Sequence, residues 1–448
     1  MPRSIAITRK FERAPIPSLT GLRFVAAMSV AVPHGVAEMV QGSGCGYFWQ
    51  VWISYFAAFG MSAFFVLSGF VIHYNYSNSI LNDRWRGAAN FFSARFARLY
   101  PLYFVCLMLS LYDQRYFFQL LETDKHPEAS EQFWQLFPYF ITLTQSWTYK
   151  IVGSNALVYG YPFSNAISNS WSVSTEFFFY LVYPFICFGL ARLRRLRHIV
   201  VAVTVVVAGA FALLALAFNA IPTIDQFGIA HFGPIAGLSS GPQDSFLRWV
   251  IYFAPYSRLP EFLLGCLVAA LYRRLEARPA SPVERKTAGA IAYLSIAAIV
   301  AMTVIIALPS NPFRFLQFLH ANFGFAVPVA ALIFVLARYR TTISRVLSYD
   351  WIVRCGEASY SIYMLHAIVL GHAGLATIPA GQCAAYSLAA SLALSSISLL
   401  RLVVALLVII GISLVTYELL ELPMRRRLRR WLTIAPKVPA ADPAPRLT

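Results

Sequence analysis

Charged side chains are scarce in this sequence. Only 12% of its 448 residues are Asp, Glu, Lys or Arg, roughly half the share found in an average soluble domain, while 58% are hydrophobic. Such a chain carries more apolar surface than a water-soluble core can hide, which excludes an ordinary soluble enzyme and points to a membrane. Acidic residues are scarcest, 19 against 36 Lys and Arg. The net charge of +17 would suit nucleic acid, but the basic residues stand in short clusters between apolar runs, as the positive-inside rule requires. No nucleic-acid partner is expected. Residues 1–22 hold Arg3, Arg9, Lys10 and Arg13 and lack an apolar stretch, so no cleaved leader is expected. The six cysteines show neither CxxC nor Cys/His spacing. They read as small packing residues, and no metal site is expected.

What is present is a series of long apolar runs. A membrane-spanning helix needs about 20 mostly apolar residues, and ten stretches qualify: 22–40, 50–73, 98–113, 170–191, 199–219, 248–271, 288–308, 321–338, 357–377 and 399–420. The third begins on Arg95, Arg98 and Pro101 and is the weakest. The short apolar stretch 134–147 reads as a re-entrant or interfacial helix. With the N-terminus in the cytoplasm and alternating sides, 29 of the 36 Lys and Arg fall on the cytoplasmic side, as the charge rule demands. The expected fold is all-α: a polytopic transmembrane bundle of about ten spans with both termini cytoplasmic. It comprises a cytoplasmic segment 1–21, a membrane domain 22–431 and a disordered tail 432–448, without an appended domain. The longest external loop, 114–169, is rich in Tyr, Phe and Trp and reads as a lid, a sugar platform or a plain connector.

Ionisable residues inside apolar runs are costly and normally face protein or a watery cavity. His34 lies eleven residues past Arg23, about 16 Å deeper along a helix and near mid-membrane. Glu176 lies about two turns into the fourth run, and His366 midway along the ninth. Arg258 and Glu261 share one helix face at i,i+3, either as part of a site or as a structural ion pair. Arg95 and Arg98 also stand at i,i+3, near the cytoplasmic ends of their runs. Their planar forks suit phosphate oxygens, or they simply reach to lipid headgroups.

These residues fall in segments that resemble the acyltransferase-3 family of bacterial membrane O-acyltransferases. The match is carried by Leu19-Thr-Gly-Leu-Arg23 with His34, Phe64-Phe-Val-Leu-Ser-Gly-Phe70, Arg95-Phe-Ala-Arg-Leu-Tyr-Pro101, Asn169-Ser-Trp-Ser-Val-Ser-Thr-Glu176 with Tyr180 and Pro184, Arg258-Leu-Pro-Glu-Phe-Leu-Leu-Gly265, Gly356-Glu-Ala-Ser-Tyr-Ser-Ile-Tyr-Met-Leu-His366, and Glu421-Leu-Pro423. Their order and spacing cover nearly the whole chain. Thr20 and Phe24 depart from the family, which often has an acidic residue and Gly there.

The resemblance implies an O-acyltransferase of the bacterial inner membrane. It would move an acyl group, expected to be acetyl from acetyl-CoA, to a hydroxyl of a glycan or lipid-linked glycan, with membrane lipids around it. His34 resembles the catalytic histidine, with Glu176 as a second catalytic candidate. Arg95 and Arg98 match the motif that meets acyl-CoA, with Arg23 beside them. Arg258, Glu261, His366, Trp171, Ser172 and Tyr363 complete the candidates. His34 would serve as general base or carry the acyl group itself. A transporter or flippase, and a glycan polymerase, are the rival readings of buried Arg, Glu and His. Finally, Cys45 and Cys383 fall in external loops beside the runs bearing His34 and His366. Either the loops meet and the pair bridges, or both thiols stay free.

Overall fold

A computed structural model of the chain describes residues 14–41, 52–123, 137–149, 168–240, 245–308, 314–375 and 388–434. Among these there is no β-strand. The principal helices are α1 (Pro17–Gln41), α2 (Phe56–Thr123), α3 (Trp171–Ala191), α4 (Leu196–Asn219), α5 (Ile221–Phe232), α6 (Leu259–Leu275), α7 (Pro282–Ala307), α8 (Arg314–Ala321), α9 (Ala326–Arg338), α10 (Asp350–Glu357), α11 (Ser359–His372), α12 (Leu388–Thr416) and α13 (Leu422–Leu432).

The longest element explains two of the expected spans at once. α2 has 68 residues and would be about 100 Å long if straight, far more than the ~30 Å hydrocarbon core. It is broken at Arg84, whose φ of 44° and ψ of −115° are not helical. The chain reverses there, within the polar run Asn82-Asp83-Arg84. Gly87 then sits directly on the turn before the break: a Cβ on it would lie 2.2 Å from the Ser79 carbonyl oxygen. Only glycine fits so close a return. The run 50–73 from Phe56 onward and the run 98–113 lie in the two arms of this hairpin, joined by helix on both sides of Arg84.

The first arm of α2 packs along α6 and α1. At its crossing with α6, a Cβ on Gly69 would fall 2.0 Å from the Phe262 carbonyl oxygen, and one on Gly265 equally close to that of Val66. The two backbones touch, as small residues permit in membrane bundles. Around this contact lies an aromatic core containing Phe65, Phe91, Phe179, Tyr183 and Phe262.

Among the described residues, six helices are long and apolar enough to cross a membrane, or seven segments if the pair α8 and α9, bent by 49°, counts as one. The protein is a multi-pass membrane protein. Three expected spans are not continuous helices: in 321–338 the turn 322–325 separates α8 from α9. Over 248–271 the chain passes through a π-helical turn, Trp249–Phe253, and a 3₁₀ turn, Pro255–Arg258, before α6 begins. Pro255 and Pro260 lack the N–H that an unbroken helix would need. Over 357–377 the chain bends at Ala358 between α10 and α11, and α11 has only 14 residues.

Residues 137–141 are helical, followed by a 3₁₀ turn at Gln145–Trp147. Gln145 and Ser146 are buried, and their polar groups bond Ser170, Ser174 and Tyr103. Irregular backbone at depth is tolerated where protein satisfies it in this way. Most of the expected loop 114–169, the tail beyond 434, and both Cys45 and Cys383 lie outside the described residues. Cys106, Cys187, Cys266 and Cys355 are buried free thiols.

Candidate active site

Four helices bring their polar residues to one place. Arg23 comes from the first turns of α1, Ser68 from the first arm of α2, Arg95 and Arg98 from the second arm, and Ser172 and Glu176 from α3. With Tyr360 and Tyr363 of α11 they line a chamber whose empty space, counting the part open to solvent, is about 700 Å³. The remaining wall is apolar and includes Met61, Phe64, Phe65 and Leu99.

A wider vestibule adjoins the chamber, about 1260 Å³ counting the part open to solvent, and Arg23, Val71, Arg95 and Arg98 line both. The vestibule adds Glu357, Glu421 and Arg425, together with Thr20, Asn75 and Tyr76. Glu421 is held by the Ser361 hydroxyl and ends a π-helical turn, Tyr417–Glu421, between α12 and α13. Such turns recur at functional sites.

The three arginines are held differently. Arg95 is buried, its guanidinium 4.6 Å above the Tyr76 ring and 5.9 Å from that of Tyr180. Its charge is supported by aromatic faces, so it is less a free fork than the i,i+3 spacing implied. Arg23 and Arg98 are half-buried and make no hydrogen bond or close ion pair among the described residues. Their forks are left to the cavity. Glu176 is tethered through one oxygen: Oε1 accepts from Ser68 Oγ at 2.9 Å and from Tyr180 Oη at 2.7 Å.

The histidines stand together, next to the chamber and not on its wall. Nδ1 of His34 lies 2.9 Å from Nε2 of His366, with ring centroids 5.1 Å apart and ring planes 18° from parallel. Asn169 Nδ2 reaches the same Nε2 at 3.1 Å, and Nδ1 of His366 lies 2.6 Å from the Tyr363 carbonyl oxygen. The Tyr363 hydroxyl accepts from Ser172 Oγ at 2.6 Å and donates to the Asn169 carbonyl at 2.8 Å. One hydrogen-bonded chain thus runs from His34 to Ser172 on the chamber wall. His366 is fully buried and His34 half-buried, so His34 is the more exposed of the two.

Arg258, Glu261 and Trp171 do not line the cavity. Arg258 Nε meets Glu261 Oε2 at 3.2 Å with both side chains buried. Glu261 also accepts from Ser62 at 2.5 Å, and Arg258 donates to the Ala321 carbonyl at 2.8 Å. The pair ties α6 to α2 and to the end of α8. Trp171 packs in the aromatic core against Tyr252 and Phe253. Removing one half of a buried pair typically costs about 3–5 kcal/mol, because the other charge is left uncompensated. Arg258→Ala is therefore expected to lower the thermal unfolding midpoint in detergent strongly. The folded fraction should keep an unaltered affinity for its cavity ligand, since the cavity wall is untouched.

Comparison with known proteins identifies the family. The family model described as an acyltransferase domain, acyltransferase-3, matches residues 16–418. The chain belongs to the acyltransferase-3 family. Acyltransferase MdmB of Streptomyces mycarofaciens is 28% identical over 441 residues, covering 97% of this chain and 98% of the relative. The O-acetyltransferase OatA of Staphylococcus aureus (strain NCTC 8325 / PS 47) is 21% identical over 78% of the chain. The peptidoglycan O-acetyltransferase OatA of Listeria monocytogenes serovar 1/2a (strain ATCC BAA-679 / EGD-e) is 20% identical over 80%. The matches span half the length of each OatA. No solved structure matches. As a member of this acyltransferase-3 family the protein is an O-acyltransferase, which displaces the transporter and glycan-polymerase readings.

The sequence reading did not single out Ser68, Tyr76, Glu357 or Arg425. Ser68 and Tyr76 carry no charge whose burial would have marked them. Glu357 and Arg425 lie at the ends of apolar runs, where a charge is ordinary.

Proposed function

We propose that this protein transfers an acetyl group from acetyl-CoA to a hydroxyl of a cell-surface or exported glycan at the bacterial inner membrane. The observation that carries the reading is the pair Arg23 and Arg98. Two guanidinium groups without a hydrogen bond or close ion pair among the described residues border both a wide vestibule and a chamber. A doubly forked cationic entrance suits the phosphates of an acyl-CoA. The names of the OatA relatives favour acetyl as the group and a glycan as the acceptor.

In this reading Arg23 and Arg98 hold the donor's phosphates, and Arg95 adds charge from behind. His34 takes the proton of the acceptor hydroxyl as its oxygen forms the new bond to the acyl carbon. The carbon–sulfur bond breaks, and His34 returns the proton to the departing thiolate. Glu176 and Ser172 line the chamber as hydrogen-bonding partners. Purified protein supplied with a panel of acyl-CoAs should release free CoA when an acceptor glycan is present. No release with any acyl-CoA and any glycan hydroxyl would overturn the reading.

The vestibule would open to the cytoplasm, where CoA resides. This accords with ten passes and both termini inside: α2 makes two of them, and the broken segments around α6 and α11 make one each. The basic helix α13, with five Arg, would then lie on the cytoplasmic face. A C-terminal reporter active only outside the inner membrane is expected to be silent. Strong activity would require an odd number of passes.

A further inference from the structure

We propose that His366 is a positioning residue that fixes the tautomer of His34 and so leaves Nε2 of His34 as the base. The inference rests on the reading of His34 as the general base.

The argument is one of donors and acceptors. The Tyr363 carbonyl oxygen, 2.6 Å from Nδ1 of His366, can only accept, so Nδ1 of His366 carries the proton. In a neutral imidazole the other nitrogen is then a bare acceptor. Two groups face that Nε2: the Asn169 amide nitrogen at 3.1 Å, which only donates, and Nδ1 of His34 at 2.9 Å. The opposite assignment for His34 would set two lone pairs against each other at 2.9 Å. His34 therefore holds its proton on Nδ1 and its lone pair on Nε2. Among the described residues nothing hydrogen-bonds that Nε2.

The surroundings are otherwise uncharged. His34 and His366 face each other, and the Tyr363 ring lies 5.7 Å from His366. No carboxylate or guanidinium acts on either ring among the described residues. From α11 and α12, Leu370 and Leu402 press against Gly35, next to His34. The layout follows the hydrolase triad, in which a third group holds the histidine through its Nδ1–H. Here a neutral imidazole takes the carboxylate's place. When His34 is protonated the same bond becomes charge-assisted and strengthens.

The test uses the full chain and follows CoA release against pH. His366→Gln places an amide oxygen where Nε2 stood and is expected to keep turnover within about tenfold. His366→Leu offers no acceptor. It should lower turnover by about 10²- to 10⁴-fold, the range of a mis-set histidine tautomer, with the KM for acyl-CoA unchanged. His366→Glu should move the acid limb of the pH profile to higher pH, because an anion stabilises the His34 imidazolium. Equal loss in the Gln and Leu variants, or full turnover and an unmoved profile in Leu, would overturn the proposal. A second measurement needs no altered His366. With ¹⁵N-labelled histidine, the His34 resonances, assigned by their loss in His34→Ala, should show a protonated Nδ1 and a bare Nε2; the reverse pattern overturns the proposal. If wild-type protein released no CoA, or His34→Ala turned over normally, the general-base reading itself would fall, a result distinct from these.

Discussion

His34→Ala is expected to lower acyl transfer by about two to four orders of magnitude, the range for loss of a general base, while the protein still folds. Both halves follow from the geometry. His34 is the more exposed end of the chain that runs through His366 and Tyr363 to Ser172. No second imidazole can replace it, because His366 is fully buried and already engaged. The fold survives because removing the ring strands nothing: Nε2 of His366 keeps the Asn169 amide at 3.1 Å, so no buried acceptor is left unpaired. Turnover of acyl-CoA by purified variant and wild type, beside size-exclusion profiles in detergent, decides it. Near-normal turnover in a well-folded variant would remove His34 from the reaction.

Glu176 was legible because a charge inside an apolar run must be compensated. Arg95 and Arg98 stood out by their i,i+3 forks and Arg23 by the family resemblance, and all four line one chamber. Arg258 and Glu261 stood out equally. Their i,i+3 spacing left open whether they serve a site or each other, and the 3.2 Å contact, buried away from the cavity, shows them paired. Charge alone cannot separate a site residue from a buried tie. What separates them is whether another protein group already meets the charge.

Continuity of helices was less legible. Hydropathy over 248–271 counts apolar residues and is blind to where the backbone breaks, although Pro255 and Pro260 marked the place. The reversal at Arg84 was hidden in the same way. A polar stretch between two runs reads as a loop, yet helix continues on both sides of a single non-helical residue. The neutral partners were the least visible of all. Ser68, which holds Glu176, and Tyr76, which faces Arg95, are ordinary residues in an apolar context until the helices are packed.

Arg98→Ala is expected to weaken acyl-CoA binding by about ten- to a hundredfold. A charged hydrogen bond contributes about 1.5–3 kcal/mol, and each 1.4 kcal/mol is a factor of ten. Arg23→Ala should act in the same direction, and the double variant by less than the product, because both forks would share one set of phosphates. Arg98→Lys should fall between, keeping the charge and losing the paired geometry. Arg95→Ala should behave differently. Its guanidinium lies over Tyr76 and Tyr180, so its removal also takes about 2 kcal/mol of desolvated cation–π attraction from the packing of the two arms of α2 on each other and on α3. It is expected to lower stability as well as affinity. Titration with a non-reactive acyl-CoA analogue, repeated at two salt concentrations, measures this. Weaker binding with a flatter salt dependence identifies lost phosphate contacts. Unchanged affinity in the Arg23→Ala, Arg98→Ala double variant would mean that these side chains serve the membrane surface and that the donor enters elsewhere.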